Sequence, residues 1–397
     1  MFGYKNKVLR VNLSTGNIIH ERFKDEDLKE FLGGIGIATK ILFEELEPHI
    51  DSLSDKNKLV FFTGLFVGSK LPGSSRYTVA AKAPLTNLRG YSTAAVYFGL
   101  ELKATGFDGI IIEGKAPLPV YLYINDSEVF LKSAKELWGK DIEETETLIK
   151  KEITTDKVRI STIGKGGENL VPYACIISDR ARAVGRAGLG SVMGSKKLKA
   201  IVVRGSQKDT DVFDGNKLKE LRKLYVSLLS KSPYAKSRTK VGSAGTVETL
   251  NELGNLPTRN FQEGCFEGVE KISGATMIDT IYKKNWGCPN CSIASGKIVE
   301  VKQGPFSPVS SSIKGPEYET LAGFGSLCGN DNLESIAKAN ELCNRYSLDT
   351  ISVSLSIAFA IECYEKKFIS KEDTNGLELK WGDPFLIIEL IEQIAEK

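Results

Sequence analysis

The stretch LKAIVVRGSQKDTDVFDGNKLKELRKLYVSLLSK, residues 198–231, holds the change of pattern that decides the fold. It begins with a β-rich run that stops at Gly205, and it ends with apolar residues at helical spacing. The residues between these parts, 206–217, are polar and rich in turn formers. We therefore predict a β-rich domain over residues 1–208 and a mainly helical domain over residues 209–397.

The chain before that boundary is typical of strands separated by turns. VLRVNL and IIHERF flank the turn formers STGN, which predicts a hairpin. Further β-rich runs, each bounded by Gly, Pro or Asp, are KLVFFTGLF, SRYTVAAKAP, FDGIIIEG, VYLYIN and KVRISTIG. One segment, DEDLKEFLGGIGIATKILFEEL, has apolar residues at helical spacing and predicts a helix that Gly33 and Gly34 interrupt.

Helices are predicted after the boundary, among them DNLESIAKANELCNRY and PFLIIELIEQIAEK. The second holds more apolar residues than one amphipathic stripe needs, so we expect an apolar face that requires a partner. The segment TISVSLSIAFAI is ambiguous, because Ile351, Val353 and Leu355 alternate with small residues at the period of a strand. Periodicity alone predicts a strand there.

Composition excludes several classes of protein. Lys and Arg (53) nearly balance Asp and Glu (50), so the net charge of +3 gives no broad footprint for nucleic acid or a membrane surface. The N-terminal residues lack the apolar core of a signal peptide, and no run of about 18 apolar residues occurs. We therefore predict a cytoplasmic protein that contacts neither nucleic acid nor membrane.

Cysteine and histidine usage narrows the chemistry further. Seven cysteines in 397 residues are an odd and sparse set, which favours thiol or metal chemistry over a disulfide framework. The two histidines, His20 and His49, both lie near the N-terminus. This placement argues against a serine or cysteine triad and excludes a histidine-rich zinc hydrolase site.

Cys288 and Cys291 form a CxxC motif in a loop where Gly287, Pro289 and Asn290 bend the backbone, so both sulfurs can reach one metal or cluster. Two ligands are half a site, since zinc needs a second pair and the other cysteines are scattered singly. A redox CxxC normally opens a helix of a thioredoxin-like unit, which is not predicted here. Spacing alone leaves open an iron-sulfur site, zinc with distant ligands and two inert thiols.

Glycines and arginines form a second group, in the segments 73–76 (GSSR), 164–169 (GKGGEN) and 180–190 (RARAVGRAGLG). Glycine exposes backbone N–H groups and arginine offers a bidentate fork, so the combination suits a phosphate or pyrophosphate. Glycine-rich turns are also what any β-rich domain needs. The chain has no Walker P-loop, and its glycines do not follow the Rossmann order.

A third group is GPEYET, residues 315–320, in which Tyr318 stands between Glu317 and Glu319. Two carboxylates beside a phenol could serve proton transfer. The structural alternative is a helix N-terminus whose positive end favours acidic residues.

Taken in order, these segments resemble one family. VLRVNLSTG, SSRYTVAAKAPLT, YFGLELKATGFDGIIIEGKAPLPVY, IGKGGENL, GRAGLGSVMGSKKLKAI, CPNC, GPEYE and SLDTIS are similar to the aldehyde ferredoxin oxidoreductases, which carry a tungsten-pterin cofactor and a four-iron cluster. The resemblance spans essentially the whole chain but covers the first two of the family's three domains. It implies an α+β fold with a two-sheet β-rich base, then a mainly helical domain in which TISVSLSIAFAI is a buried helix, and no C-terminal domain of the family.

The resemblance also implies roles for individual residues. Tungsten bound by two pterins of the molybdopterin type would lie on the two-sheet base, with magnesium between the pterin phosphates. The [4Fe-4S] cluster would be held at the CxxC loop. The implied residues are Arg76 and Arg182 near the phosphates, Thr93 and Ala95 near the pterin, the Ala183 carbonyl at magnesium, Leu348 and Asp349 in a pterin-binding motif, Cys288, Cys291 and Ser295 at the cluster, and Tyr318 and Glu319 in proton transfer.

The chain departs from the family pattern where the chemistry is implied. Ser295 stands at the position of the third cluster cysteine. Residues 93–96 (TAAV) replace a segment with Asn and paired glycines, while Asn344 and Ser347 replace the Asp and Gly of a pterin motif. Lys338 and Glu341 replace a metal-binding E-x-x-H pair. We therefore expect a weakened cofactor site and an incomplete cluster.

The resemblance implies oxidation of an aldehyde to a carboxylic acid, with electrons passed to ferredoxin and a separately encoded chain supplying the third domain. A homodimer is a further expectation. The alternative is a cofactor-poor, non-catalytic remnant that acts as a scaffold or assembly protein.

Overall fold

The protein is described here by a computed structural model covering residues 1–180, 182–310, 312 and 314–396. Its first half contains the strands β1 (Val8–Asn12), β2 (Ile18–Glu21), β3 (Leu59–Thr63), β4 (Arg76–Lys82), β5 (Arg89–Ala95), β6 (Gly109–Glu113), β7 (Val120–Asn125), β8 (Glu128–Ser133), β9 (Arg159–Thr162), β10 (Ile176–Ser178), β11 (Arg182–Val184) and β12 (Leu198–Arg204). These strands form two six-stranded sheets. The first has the order β2-β1-β6-β3-β4-β5 and the second the order β11-β10-β9-β12-β7-β8. A separate hairpin in the second half pairs β13 (Tyr282–Trp286) with β14 (Gly296–Val299).

Helices lie between the strands of the first half and dominate the second. The first half contains α1 (Asp25–Phe31), α2 (Ile35–Glu45), α3 (Tyr97–Ala104), α4 (Ile142–Glu152), α5 (Lys165–Glu168) and α6 (Leu189–Ser195). The second contains α7 (Gly215–Lys231), α8 (Pro233–Val241), α9 (Thr246–Glu252), α10 (Gly274–Thr280), α11 (Tyr318–Phe324), α12 (Leu333–Tyr346), α13 (Thr350–Glu365) and α14 (Pro384–Glu396), with 3₁₀ turns at Gly242–Gly245, Val269–Ile272 and Ser326–Cys328.

The two sheets share an apolar core between them. β3 is buried along its whole length, and the fully buried Tyr77 ring stacks near Phe61, 6.3 Å between ring centroids. The Tyr77 hydroxyl forms a 2.6 Å hydrogen bond with the Ser178 hydroxyl of the other sheet, which satisfies a polar group inside that core. Helices α1 and α2 cover the outer face of the first sheet, and α4 covers that of the second.

A second apolar core belongs to the helices of the second half. The segment TISVSLSIAFAI is helical, as the family resemblance implies, and the strand predicted from its period is wrong. It presents Val353, Ile357 and Ile361 to the core, whereas Phe359 is 62% exposed, so the helix is buried on one face. The last helix, α14, buries Leu386, Ile387, Ile391 and Ala395 against this core, whereas Phe385 is 59% exposed. The expected partner for an apolar face of this helix stays a prediction.

The predicted fold class is confirmed: two β sheets come first and a mainly helical region follows. The hairpin at the start of the chain and the helix interrupted by Gly33 and Gly34 both form. The domain limits 1–208 and 209–397 stay a prediction. Over the described residues, no helix is long and apolar enough to span a membrane.

The two halves meet at a seam formed by residues 163–175 and 343–350, and this seam positions the candidate site. Leu348 pairs with Ala174 in an isolated antiparallel bridge. The Ser347 carbonyl accepts the Cys175 N–H at 2.7 Å, and the Ser347 hydroxyl accepts the Gly164 N–H at 2.8 Å. Ser347 has φ +59°, a left-handed conformation that ends α12 and that glycine adopts more easily.

Candidate functional site

A polar cavity of about 210 Å³ opens at the seam between the second sheet and the helices. Strand β11 lines one side, the segment before α11 lines another, and the end of α12 with the start of α13 closes it. Its lining includes Arg182, Ala183, Lys314, Glu317, Asn340, Asn344, Leu348 and Asp349. Four residues that the resemblance implies for the cofactor, Arg182, Ala183, Leu348 and Asp349, are thus brought together from distant parts of the chain.

Arg182 projects from β11 across the seam to the hairpin of β13 and β14. Its Nη2 donates to the Cys288 sulfur at 3.5 Å, and its guanidinium lies 5.0 Å from the centre of the Trp286 ring. Its Nη1 is 3.6 Å from a Glu317 carboxylate oxygen. Its Nε is buried and has no hydrogen-bond partner among the described residues. A buried guanidinium donor without an acceptor is what a site for an anionic ligand would leave free.

Lys314 adds a buried lysine beside the partly buried Arg182. Its ammonium pairs with Glu317, whose carboxylate also accepts a hydrogen bond from the Ser243 hydroxyl. Burial lowers the pKa of Lys314 well below its usual value, and the nearby Arg182 and Lys297 cations lower it further, while Cys288 opposes them. Arg182 and Lys314 therefore share one carboxylate, and burial together with the Arg182 charge disfavours the protonated form of Lys314.

Asp349 closes the other side of the cavity at the start of α13. Its carboxylate accepts the Ser352 hydroxyl at 2.6 Å and caps the helix through the N–H groups of Ile351 and Ser352. Arg186 Nε lies 3.5 Å from it. Burial raises the pKa of Asp349, which the Ser352 bond and the Arg186 charge oppose. The main role of the Asp349 carboxylate is thus to cap the N-terminus of α13.

Arg76, Thr93 and Ala95 form a separate group on the edge of the first sheet. Arg76 is exposed and its Nη1 donates to the Thr93 hydroxyl at 3.3 Å. Ala95 pairs with Arg76 across β4 and β5. Val96 is fully buried in the core between the sheets, so its branched side chain does not crowd the surface where a pterin is implied. Strand β5 lies beside β11, and Arg186 N–H reaches Ser92 Oγ at 3.5 Å.

The CxxC motif occupies the tip of the hairpin that β13 and β14 build. Trp286 pairs with Gly296, so the loop that carries Cys288, Cys291 and Ser295 closes on itself. Across the described residues, no three His, Cys, Asp or Glu side chains come together as a metal site. A four-iron cluster takes four thiolates, whereas this loop offers two thiols and a serine hydroxyl. The donor set does not fit the implied cluster.

The structure places the two proposed proton-transfer residues outside the cavity. Tyr318 is half-buried at the start of α11, where burial raises the pKa of its phenol and Glu319 adds to that effect. Glu319 is exposed. The carboxylate that reaches the cavity is Glu317, which the sequence places in the same motif. The sequence analysis did not single out Lys314 as a site residue. The only sequence signal for it is its position directly before the GPEYET motif.

A larger cavity, of about 580 Å³, lies away from the seam between α4 and β9. Arg180 on its wall is bonded to Glu143 and Glu146. Burial raises the pKa of Asp179 to about 7, and its carboxylate accepts the Phe98 N–H at 3.1 Å. These charged groups have partners within the protein, so the smaller seam cavity, with its unpaired Arg182 donor, is the stronger candidate site.

Comparison with known proteins gives matches over nearly the whole chain. Residues 8–205 match the family model described as the aldehyde ferredoxin oxidoreductase N-terminal domain, and residues 220–397 match the model described as domains 2 and 3. Tungsten-containing aldehyde ferredoxin oxidoreductases from Pyrococcus horikoshii and Thermococcus kodakarensis are 41% and 40% identical over the full chain. The chain spans 65% and 64% of the length of these relatives.

A solved structure is also similar. It is the active site complex BamBC of benzoyl coenzyme A reductase with 1,5-dienoyl-CoA, which superposes with a TM-score of 0.84 at 27% sequence identity. The match covers the whole of this chain and 62% of that one. The two-sheet and helical architecture is therefore shared with a chain of that complex.

Proposed function

The chain belongs to the aldehyde ferredoxin oxidoreductase family, and on that premise we propose that it serves the oxidation of an aldehyde to a carboxylic acid with ferredoxin as electron acceptor. Because the chain spans less than two thirds of its curated relatives, aldehyde, acceptor and cofactor are all parts of this proposal. Cytoplasmic location and a homodimer belong to it as well.

The observation that carries the proposal is the seam cavity. Arg182 and Ala183 come from the second sheet, and Leu348 and Asp349 come from the junction of α12 and α13. These are positions that the family resemblance assigns to pterin binding, and the fold brings them to one polar space. The Arg182 guanidinium, whose Nε has no partner among the described residues, is suited to a phosphate group.

A tungsten-pterin group, when bound, would supply the oxygen and electron transfer chemistry. In the proposal, Arg182 and Lys314 hold a pterin phosphate, and the Ala183 carbonyl helps to hold magnesium. Arg76, with Thr93 and Ala95, holds a second phosphate and the pterin edge at the rim of the first sheet. The donor set at Cys288, Cys291 and Ser295 does not support a four-iron relay, so ferredoxin as the acceptor is proposed from the family resemblance alone.

Proton handling is proposed for the start of α11. Glu317 is the carboxylate on the cavity wall, and its bonds to Lys314 and Ser243 hold its position. Tyr318 and Glu319 remain proposed for the same role by family resemblance. In the proposal the Glu317 carboxylate accepts a proton from a substrate at the cavity wall.

The second candidate is a cofactor-poor scaffold or assembly protein, and Ser295 favours it because that residue withholds a thiolate from the cluster loop. Protein purified without oxygen from its native host distinguishes the two. The oxidoreductase predicts bound tungsten and pterin together with aldehyde-dependent reduction of a one-electron dye. Protein that is folded and carries neither metal nor pterin would support the scaffold.

The seam site can be tested separately by anion binding. Pyrophosphate should bind the wild-type chain, and Arg182→Ala should weaken it by about tenfold or more, since a hydrogen bond to a charged group is worth about 1.5 to 3 kcal/mol. Arg222→Ala, on an exposed face of α7, is the matched control and should bind as the wild type does. Calorimetry that gives equal affinities for wild type and Arg182→Ala would contradict the site.

A further inference from the structure

The CxxC loop forms a tight turn with both thiols partly exposed. The Cys291 N–H donates to the Cys288 carbonyl at 3.1 Å, the i to i+3 bond of a β-turn. In such a turn the outer Cα atoms lie within about 7 Å, and a disulfide spans Cα atoms about 4.4 to 6.8 Å apart. The backbone already holds these two residues close enough to be bridged.

The environment of the pair is cationic on one side. Arg182 Nη2 donates to Cys288 Sγ at 3.5 Å, and the Arg182 guanidinium also lies 5.0 Å from the centre of the Trp286 ring at the base of the same hairpin. Thiolates are the nucleophiles of thiol-disulfide exchange, and neighbouring arginine or lysine is a recurrent feature of reactive cysteines. A helix N-terminus supplies that positive field in thioredoxin-like proteins. Here the Arg182 side chain, which comes from the second sheet, supplies the positive charge.

We propose that Cys288 and Cys291 are a redox-active dithiol which, by forming a disulfide, releases Arg182 to the seam cavity. Three observations support this inference: the loop lacks the thiolates of a four-iron cluster, its backbone forms a tight turn, and Arg182 contacts Cys288. Because Ser295 cannot add the third thiolate, the two sulfurs are available to each other. The inference does not depend on aldehyde oxidation.

The reaction balances with a disulfide as oxidant. The two cysteine S–H bonds break and one S–S bond forms, while a small-molecule disulfide such as oxidised glutathione is reduced to two thiols and takes up the two electrons and two protons. Cys288 Sγ then turns toward its new partner. A disulfide sulfur is a poor acceptor, so oxidation frees the Nη2 donor of Arg182, a residue that lines the cavity, for an anion there. An anion there should bind more tightly in the oxidised state.

The first measurement is the thiol count of the full chain. Reduced protein is desalted without oxygen, treated with oxidised glutathione, alkylated and analysed by peptide mass spectrometry. All seven cysteines are free in the structure, and we expect two fewer alkylated after oxidation, with Cys288 and Cys291 linked inside one peptide. Cys291→Ser should abolish the link, whereas Cys265→Ser, an exposed cysteine elsewhere, should retain it.

The second measurement is the affinity for pyrophosphate in the two redox states. Oxidation should tighten binding by about threefold to tenfold, because Arg182 gains a donor for the anion. Arg182→Met and Cys291→Ser should each remove the difference between the states, and Cys265→Ser should keep it. Equal affinity in oxidised and reduced wild type would overturn the coupling to Arg182.

Anaerobic reconstitution separates the dithiol from an iron-sulfur site. With iron and sulfide, wild type should take up no stoichiometric cluster, and uptake by Ser295→Cys alone would support the inference that serine leaves a dithiol. Stoichiometric iron and sulfide in the wild type, or failure of the Cys288–Cys291 link under oxidation, would overturn it. Absence of tungsten from the native protein would count against the proposed oxidoreductase and leave these outcomes unchanged.

Discussion

Buried cations in the two sheets and at the seam differ in how completely they are matched. Within the sheets, Lys196 donates to the carbonyls of Asp55, Asn57 and Gly114, and Lys199 pairs with the buried Glu168. At the seam, Lys314 and Arg182 share Glu317, and the Arg182 Nε has no partner within the described ranges.

This difference separates charged groups that stabilise the fold from charged groups that are available to a ligand. A buried ion costs several kcal/mol of desolvation unless its partners compensate it. The matched lysines of the sheets therefore behave as parts of the core. Arg182 and Lys314 at the seam are less completely matched than the lysines of the sheets. They lie at the edge of a cavity, where an anion or the Cys288 sulfur can supply a further partner.

The largest expected effect comes from breaking a matched pair. Glu168→Gln keeps the shape of the side chain but leaves the Lys199 ammonium, which is fully buried, without its countercharge. We expect the free energy of unfolding to fall by about 3 to 5 kcal/mol, measured by chemical denaturation. Glu47→Gln, whose partner Lys56 is exposed, is the control and should change it by less than about 1 kcal/mol. Similar losses in both variants would contradict the distinction between the pairs.

A pH titration tests the second matched lysine. Burial lowers the pKa of Lys196 from 10.5 to about 8. The unfolded chain therefore binds more protons than the folded one between these values, so stability rises as pH increases from about 8 to 10.5 and is lost again as pH falls through 8. The expected gain is about 3 kcal/mol, since one pKa unit corresponds to about 1.4 kcal/mol.

The check is denaturation across that pH range for wild type and variants. Lys196→Met should flatten this part of the curve, while Lys208→Met, at an exposed position, should leave it in place. A flat curve in the wild type would show that the three carbonyls hold Lys196 charged in both states.

A smaller effect is expected at a matched polar group of the seam itself. Ser347→Ala keeps the left-handed backbone but deprives the buried Gly164 N–H of its acceptor, which should cost about 1 to 2 kcal/mol. Ser347→Gly loses the same bond but relieves the backbone strain, so its loss should be smaller. Thermal unfolding of both variants measures the two losses of stability. A Ser347→Gly variant less stable than Ser347→Ala would contradict the expected relief of backbone strain.

The smallest stability effect should come from the under-matched cation. Arg182→Met removes a sulfur contact and a 3.6 Å ion pair but also relieves repulsion on Lys314, so unfolding should change by less than about 1 kcal/mol. Chemical denaturation beside Glu168→Gln measures the contrast. A loss above about 2 kcal/mol would mean that Arg182 is matched as fully as the lysines of the sheets.

The outcome at particular elements shows what local pattern can and cannot predict. Strands such as β3 and β12 follow from β-rich runs bounded by turn formers, and the break between α1 and α2 follows from Gly33 and Gly34. The helix α13 does not follow from its strand-like period, because burial against α11 and α14 decides which of its residues face inward. Resemblance to the family was needed to predict it.

The candidate site divides in the same way. Sequence alone determined the order of sheets and helices, the CxxC turn, the GPEYET motif and the segments that resemble pterin-binding positions, because each of these is written in neighbouring residues. The tertiary structure alone decided that Glu317 rather than Glu319 meets the cavity, that Lys314 is buried there, and that Arg182 contacts Cys288. Arg182 and Cys288 are 106 positions apart, and only the packing of the helices on the second sheet fixes which charges and sulfurs meet across the seam.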